Sequence, residues 1–325
     1  MRPFLSSLTL SSSLLLLTAC GGSSDSATQI DADDGLRQLN ASIPFIAVVD
    51  DETVACGQDY LNVGADSSTV SFVDFRLFLH DFRLITDDGK EVALPLTALT
   101  GESPAQNVDV VQLDFRDTIG CEAGVDANPN FNDEVSVSAT LDSDVSYAAI
   151  RFSLGVPAAL NHADQSAADE PLRNPGRASG AAWNWQGGYK FTGIDVEPVG
   201  GWTDPADDAR VGSRWNVHVG STGCPVSASE LESGDSPQPC AQPNRAEVTL
   251  ALGTLDIGQI QIVIDYAALV SGASVAQDSG GASGCMSGTT DPECEAVFAN
   301  LGLAWGENPA TSQTVFRLRE ASDQE

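Results

Sequence analysis

The chain has 325 residues, and its 15 basic and 46 acidic side chains give a formal net charge of −31. A surface this acidic repels nucleic acid and anionic lipid, so the composition excludes a protein that binds nucleic acid. The acidic residues are spread along the whole chain, which favours an adaptation to salty surroundings over a single acidic docking face.

The N-terminus has the pattern of an export signal. A basic residue precedes an apolar and hydroxyl-rich run, residues 4–17, that is too short to span a bilayer comfortably. The run ends in Leu-Thr-Ala-Cys20-Gly-Gly, which resembles the lipobox of bacterial lipoproteins, whose cysteine becomes the lipidated first residue. We therefore expect a signal peptide over 1–19, a flexible linker and anchor over 20–38, and one domain over 39–325. The expected location is the periplasm, with a lipid anchor in the outer membrane, and an ordinary cleaved signal peptide is the alternative.

Strand patterns dominate the rest of the chain, because glycine is frequent and long helical patterns are scarce. Apolar or alternating runs predict strands over residues 42–49, 71–85, 92–96, 108–115, 135–141, 147–156, 188–196, 214–220, 246–252, 258–265 and 313–318. The segments 246–252 and 258–265 are expected to pair with each other. Short helices are predicted over 266–270 and 292–303, and an acidic loop over 202–210. This order contains no βαβ alternation and indicates an all-β fold, a β-sandwich with long disulfide-braced loops.

The strongest strand signal is the run 71–85, whose middle is apolar on both faces. Such a strand is buried on both sides or contains a bulge. An Asp-Asp-Gly-Lys turn over 87–90 should reverse the chain, so that 92–96 returns as the partner strand. A later stretch, 158–182, is long and irregular, which is uncommon in a compact domain and is more often functional or disordered.

The cysteine count agrees with export. Seven cysteines minus Cys20 leave six, and an even number in an exported protein indicates disulfides. Six cysteines allow 15 pairings. We expect the following set, whose last two pairs are close in sequence and lie in loops: Cys56–Cys121, Cys224–Cys240 and Cys285–Cys294. If all six are oxidised, no thiolate remains to bind metal, and the soft or borderline ligands left are the histidines and Met286.

Four segments together carry a resemblance to a known family. They are Phe75-Arg-Leu-Phe-Leu-His-Asp-Phe-Arg-Leu84, Gly155-Val-Pro-Ala-Ala-Leu-Asn-His162, Trp183-Asn-Trp-Gln-Gly-Gly-Tyr-Lys-Phe191, and His218-Val-Gly-Ser-Thr-Gly-Cys224 with the segments around Cys285 and Cys294 behind it. In this order they resemble the MbnP family of periplasmic copper-binding proteins, also known as metallo-mystery pair four-Cys proteins. The resemblance extends over residues 40–305, which is most of the mature chain.

The resemblance implies a β-sandwich that binds copper. It also implies a partner, a di-haem cytochrome-c-peroxidase-like protein of the MbnH type, that oxidises a tryptophan of the copper-binding protein to kynurenine. The present chain would then be the substrate and the copper binder, not an enzyme. It contains no Cys-x-x-Cys-His motif and so has no c-type haem attachment site of its own.

The three histidines of the chain are the expected metal ligands, chiefly on the strength of the resemblance: His80, His162 and His218. Imidazole sites suit copper, zinc, iron or nickel, and three neutral imidazoles suit Cu(I) in a trigonal site. Zinc with three histidines and a water would instead indicate a hydrolase. Asp164 is the candidate general base for such a hydrolase, or else the partner that orients a histidine.

The oxidised tryptophan is expected in the Trp-x-Trp segment. Trp185 ranks first and Trp183 second, while Trp215, three residues before a histidine, is the third candidate. At least one of these side chains should be a core aromatic with its indole N–H satisfied. A third hypothesis for the whole chain is a structural surface lipoprotein whose three histidines do not come together in the fold.

Overall fold

A computed structural model describes residues 29–30, 35–55, 57–116, 128–183, 188–224 and 240–321. The fold is all-β, with 43% strand and 6% helix. The strands in chain order are β1 (Gln29–Ile30), β2 (Leu36–Val49), β3 (Glu52–Thr53), β4 (Tyr60–Val63), β5 (Ser68–Thr86), β6 (Glu91–Ala93), β7 (Val111–Asp114), β8 (Glu134–Asp142), β9 (Tyr147–Leu154), β10 (Thr192–Pro198), β11 (Trp202–Asp204), β12 (Asp207–Gly212), β13 (Trp215–Val217), β14 (Ala246–Ala251), β15 (Ile260–Asp265) and β16 (Phe316–Glu320). Two short helices are α1 (Tyr266–Leu269) and α2 (Cys294–Asn300).

These strands form two main sheets in the part of the chain that the structure describes. The smaller sheet has the order β1-β2-β15-β16, with β3 and β8 also paired to β2. The larger sheet has the order β13-β10-β5-β9-β14, with β4, β6 and β7 also paired to β5. Strand β2 pairs antiparallel with β8 and parallel with β15, so an N-terminal strand and a late strand are neighbours.

The two sheets pack face to face through aromatic side chains. Phe152 on β9 meets Phe45 of β2 and Phe316 of β16 edge-on, with ring centroids 5.9 and 5.5 Å apart. Phe72 on β5 meets Tyr266 of α1 at 4.9 Å in the same manner. Such edge-to-face pairs stabilise a core by about 0.5–1.5 kcal/mol each beyond the buried area. The interface between the sheets is therefore the core of a β-sandwich, as the sequence predicts.

The long strand β5 shows both features expected of it. Residues 75–79 are buried without interruption, so the middle of the strand is covered on both faces. A bulge follows, because the pairing register with β9 shifts between His80 and Arg83 and the intervening Asp81 has a φ of 53°. The bulge leaves Asp81 exposed, where it pairs with Arg83. The predicted turn and its returning strand are also present as β6, which pairs with residues 83–85.

Three sequence-based expectations were wrong. The segments 246–252 and 258–265 do not pair, because β14 joins β9 in the larger sheet whereas β15 joins β2 and β16 in the smaller one. The predicted acidic loop is a hairpin of β11 and β12, held by Arg210 stacked 4.9 Å over the ring of Trp202. The expected linker contains β1 and the start of β2, which pair with each other at residues 29–30 and 37–38.

Both expected local disulfides, Cys224–Cys240 and Cys285–Cys294, are present. The predicted Cys56–Cys121 bridge and the predicted lipidation site Cys20 lie outside the described residues. Over the described ranges, no helix is long and apolar enough to cross a membrane.

Candidate metal centre

His218 follows β13 directly and has an asymmetric environment. Its Nε2–H donates to a carboxylate oxygen of Asp195 on the neighbouring strand β10, at 2.6 Å. Its other ring nitrogen, Nδ1, is buried and has no hydrogen-bond partner among the described residues. A neutral imidazole with Nε2 protonated has its lone pair on Nδ1. The orientation that Asp195 imposes therefore leaves a buried nitrogen ready to bind a metal ion.

Asp195 is charged in this setting. Burial would raise the pKa of Asp195, but the hydrogen bond from His218 and the nearby charges of Lys190 and Arg214 lower it below its usual value. A carboxylate held in its ionised form is a strong acceptor, and it fixes the proton of the imidazole on Nε2.

Met286 lies beside His218 through a short parallel pairing. Val217 forms a bridge with Cys285, and the backbone N–H of His218 donates to the Cys285 carbonyl oxygen at 2.9 Å. The hydroxyl of Ser287 donates to the His218 carbonyl oxygen, also at 2.9 Å. Because Val217 and Cys285 both face the core, the next residues along each segment, His218 and Met286, share the opposite face. The pairing thus brings the backbone of Met286 beside that of His218.

Trp183 packs beside the imidazole of His218. Its ring meets that of His218 edge-on, with centroids 6.5 Å apart. This approach depends on Gly220, because a Cβ atom there would lie 2.7 Å from Trp183 Cζ3 and 2.8 Å from the carbonyl oxygen of Tyr189. The backbone of Trp183 is fixed by a hydrogen bond from its N–H to the Gly188 carbonyl oxygen at 2.9 Å.

His80 stands on β5 immediately before the bulge. Its Nδ1 donates to the carbonyl oxygen of Gly155 at 3.0 Å, which leaves Nε2 as the nitrogen with the lone pair. Burial lowers the pKa of His80, against the opposing effect of the hydrogen bond to Gly155. His80 is therefore a neutral imidazole, which is the form that binds metals.

His162 lies in the irregular segment, next to the disulfide. The side-chain amide of Asn161 donates to His162 Nε2 at 3.0 Å, and its carbonyl oxygen accepts from the backbone N–H of Tyr189 at 3.2 Å. Sulfur Sγ of Cys240 is 3.3 Å from the same imidazole nitrogen. Possible ligand atoms of His162, Cys224 and Cys240 all lie within 4.8 Å of one another. Both sulfurs are joined in a disulfide, however, so they are not thiolates here.

Comparisons with known proteins identify the family of the chain. A model of the MbnP family matches residues 38–287. The chain belongs to the MbnP family. A solved structure, MbnP from Methylosinus trichosporium, is similar over 88% of this chain and 99% of its own, with 29% sequence identity and a TM-score of 0.70. The comparison with curated proteins gives no significant match.

In this MbnP-family chain the three histidines lie on neighbouring segments. His80 contacts Gly155, which is seven residues before His162 in the sequence. The amide of Asn244 donates to the carbonyl oxygen of Gly220, two residues after His218. The next residue, Arg245, donates to the carbonyl oxygen that follows Gly155 in the sequence. Among the described residues, however, the nitrogens of the three histidines do not form one group of ligand atoms within 4.8 Å, so the three-histidine centre stays a prediction.

The remaining predicted residues have different surroundings. Asp164 is exposed and accepts hydrogen bonds from the backbone and hydroxyl of Ser166, so the carboxylate that orients a histidine is Asp195 instead. Trp215 is fully buried and donates to the Gln277 carbonyl oxygen, as a core aromatic does. Trp185 lies outside the described residues.

Sequence reasoning missed Asp195 and gave Met286 only a minor role. The signal for Asp195 was a single acidic residue within the apolar run 191–196, close in sequence to the strand that carries His218. Together, the buried nitrogen of His218 and its carboxylate partner fit a metal ion with a preference for borderline donors, and Met286 on the neighbouring segment is a candidate soft donor.

Proposed function

We propose that this MbnP-family protein is a copper-binding protein of the periplasm, and that its copper ion binds at His218 beside Trp183. The observation that carries the proposal is the buried, unpartnered Nδ1 of His218, whose ring is oriented by Asp195 through Nε2. Ligating histidines almost always donate their second N–H to a carboxylate or a carbonyl, so the pairing of His218 with Asp195 supports His218 as a metal ligand.

The donor set favours copper over zinc. An imidazole and a thioether are ligands suited to Cu(I), whereas zinc in proteins takes cysteine, histidine and carboxylate ligands. The two disulfides of the described residues remove four cysteines as thiolate donors. His80 and His162, which bear the remaining imidazoles, are proposed as further ligands or as supports of the centre. Bound copper would supply a soft cation that this protein holds for storage or delivery, with no reaction catalysed by the chain itself.

We further propose that Trp183 is the tryptophan that a di-haem partner oxidises to kynurenine. An indole offers only an N–H donor and cannot ligate a metal, but kynurenine has a ketone oxygen and an aromatic amine. With a peroxide as oxidant, one indole and two hydrogen peroxide molecules give N-formylkynurenine and two waters, and hydrolysis then releases formate. The oxidation would therefore create ligand atoms close to His218. Trp185, two residues on, is the competing position.

The partner, the cellular location and the anchor complete the proposal. The partner is a di-haem cytochrome-c-peroxidase-like protein that meets its substrate in the periplasm. The protein is held at the outer membrane through a lipid on Cys20, and its role is copper handling. These points are supported by the membership of the MbnP family and by the N-terminal sequence pattern.

The testing experiment is metal analysis of the mature protein purified from the periplasm, with and without the di-haem partner. We expect about one copper per chain, lost in His218→Ala and Met286→Ala. The three-histidine prediction adds that His80→Ala and His162→Ala also lose it. Zinc in place of copper would support the hydrolase alternative, and no metal after copper is offered would contradict the proposal.

Peptide mass mapping tests the modification. We expect the peptide containing Trp183 to gain the mass of one oxygen in place of one carbon when the partner is present. Trp183→Phe should abolish this gain, and Trp305→Phe, a partly exposed tryptophan elsewhere, should not. The same mass gain on Trp185 alone would contradict the assignment to Trp183.

A further inference from the structure

A second group of possible ligand atoms does not include His218. It consists of the Cys224–Cys240 disulfide and the imidazole of His162, with Nε2 of the histidine 3.3 Å from Cys240 Sγ. This is the group whose possible ligand atoms all fall within 4.8 Å of one another. His162 is held in place by Asn161, a fully buried residue whose amide is itself fixed by a backbone N–H.

We propose that reduction of the Cys224–Cys240 disulfide creates a site for a soft metal ion, built from two thiolates and the imidazole of His162. A dithiol protein of the thioredoxin class would serve as reductant. The dithiol and this disulfide exchange to give two cysteine thiols and an oxidised dithiol. A divalent ion then displaces two protons as it binds both sulfurs. Oxidation by a disulfide reverses the step and releases the metal.

The present geometry is close to that of a bound site. Metal–sulfur bonds of about 2.3 Å and metal–nitrogen bonds of about 2.0–2.1 Å at tetrahedral angles place sulfur and nitrogen about 3.5 Å apart and two sulfurs about 3.8 Å apart. The nitrogen of His162 is already 3.3 Å from Cys240 Sγ. The two sulfurs must move apart, and breaking the covalent bond between them removes the constraint that prevents this.

The side-chain amide of Asn161 can change its hydrogen-bond acceptor when a metal ion binds. Its amide N–H now donates to His162 Nε2, the atom that would bind the metal. When that lone pair is taken by a metal ion, the neighbouring thiolate sulfur is available as the acceptor for the same N–H. Hydrogen bonds to a thiolate stabilise its charge, so the buried amide remains satisfied in both states.

The second disulfide provides a contrast within the same molecule. Cys285 and Cys294 are both fully buried, and among the described residues they belong to no group of metal-ligating side chains. Cys240 is only partly buried, so a reductant can reach it. Attack by a thiolate on a disulfide requires access to a sulfur, which makes Cys224–Cys240 the labile bond of the two.

The test is a Cd²⁺ titration of the mature, copper-free protein after mild reduction by a dithiol without oxygen. We expect two thiols to be released and one Cd²⁺ to bind per chain, with an ultraviolet thiolate-to-metal charge-transfer band and one nitrogen ligand by X-ray absorption. Cys224→Ser should lose the band. His162→Gln, a variant of similar size, should lose the nitrogen ligand.

Two controls separate this site from the copper centre. His218→Ala should lose copper in the oxidised protein and yet bind Cd²⁺ after reduction. The double variant Cys285→Ser with Cys294→Ser should keep the Cd²⁺ band, provided that its circular dichroism shows an intact fold. The proposal is overturned if the reduced protein gives no band, if Cys285–Cys294 is reduced first, or if His162→Gln leaves the nitrogen ligand in place.

Discussion

The replacement Asp195→Asn addresses the hydrogen bond on which the proposed metal centre depends. The carboxylate of Asp195 accepts from Nε2–H of His218 at 2.6 Å, and its side chain is 18% exposed. Asparagine has nearly the same shape, so the surrounding strands β10 and β13 should retain their pairing. The substitution removes the negative charge of the acceptor. It also allows the side-chain amide to turn either its oxygen or its nitrogen toward the imidazole.

The magnitude follows from these two changes. A hydrogen bond to a charged group contributes about 1.5–3 kcal/mol and a neutral one about 0.5–1.5 kcal/mol. The loss of about 1–1.5 kcal/mol corresponds to copper binding about tenfold weaker. If the asparagine amide presents its N–H instead, the imidazole proton must move to Nδ1 and the proposed ligand atom is blocked. We therefore expect copper binding about 10- to 100-fold weaker, the range found for partners of ligating histidines.

The assay is competition for Cu(I) against a chromophoric chelator, followed optically. Asp51→Asn is the matched control, because it removes the same charge from an exposed carboxylate that pairs with Arg317. We expect wild-type affinity in the control. Thermal unfolding of both apoproteins checks that the folds are intact. Copper affinity in Asp195→Asn equal to that of the control would refute the role assigned to the His218–Asp195 pair.

Three further predictions concern the fold. Gly188→Ala should destabilise the protein more than Gly200→Ala. Both glycines have a positive φ (71° and 88°), but only a Cβ at Gly188 would meet a backbone oxygen, at 2.2 Å. Denaturant titration should give a loss of about 1–2 kcal/mol in the free energy of unfolding for Gly200→Ala and a larger loss for Gly188→Ala. Replacing Cys285 and Cys294 by serine removes a bridge across 9 residues and should cost about 2.5 kcal/mol in the free energy of unfolding. Burial raises the pKa of Asp265, whose side chain caps α1. The contribution of Asp265 to the free energy of unfolding is therefore fully present below the unfolded pKa of about 3.9 and is lost as the pH rises through the higher folded pKa. The free energy of unfolding of Asp265→Asn should therefore fall less than that of the wild type over this acidic pH range.

Local patterns predicted much of the fold. Alternation placed β8 and β15 nearly to their ends, and closeness in sequence identified two disulfides. Pairing partners were harder, since β14 and β15 follow one another but enter different sheets. The eight-residue connection between them, in which the Asp256 side chain accepts from the Gly258 N–H, carries the chain across the sandwich rather than back along one sheet. Nothing in the two strands themselves distinguishes these outcomes, because both are apolar on one face at least.

The metal centre was predictable only in part. Each histidine was visible as a rare residue in an apolar or irregular setting, but the orientation of an imidazole depends on its partner across the sheet. Asp195 meets His218 only because β10 pairs with β13 in one particular register. Met286 is brought beside His218 by an isolated parallel bridge between the end of β13 and Cys285, which belongs to no regular strand. Contacts of this kind are set by tertiary packing, and a single sequence does not encode them as a local pattern.

The parallel pairing of β2 with β15 has a consequence for the order of events during folding. The backbone N–H of Asp50, at the end of β2, donates to Asp265, which is 215 residues away along the chain. Until that distant segment exists and is free, the edge of β2 has no partner, and contacts of such high sequence separation are slow to form. Strand β2, which is synthesised early, therefore cannot complete its pairing until β15 has been synthesised. For the export proposed above, this delay would keep the polypeptide unfolded until nearly all of it has crossed the membrane.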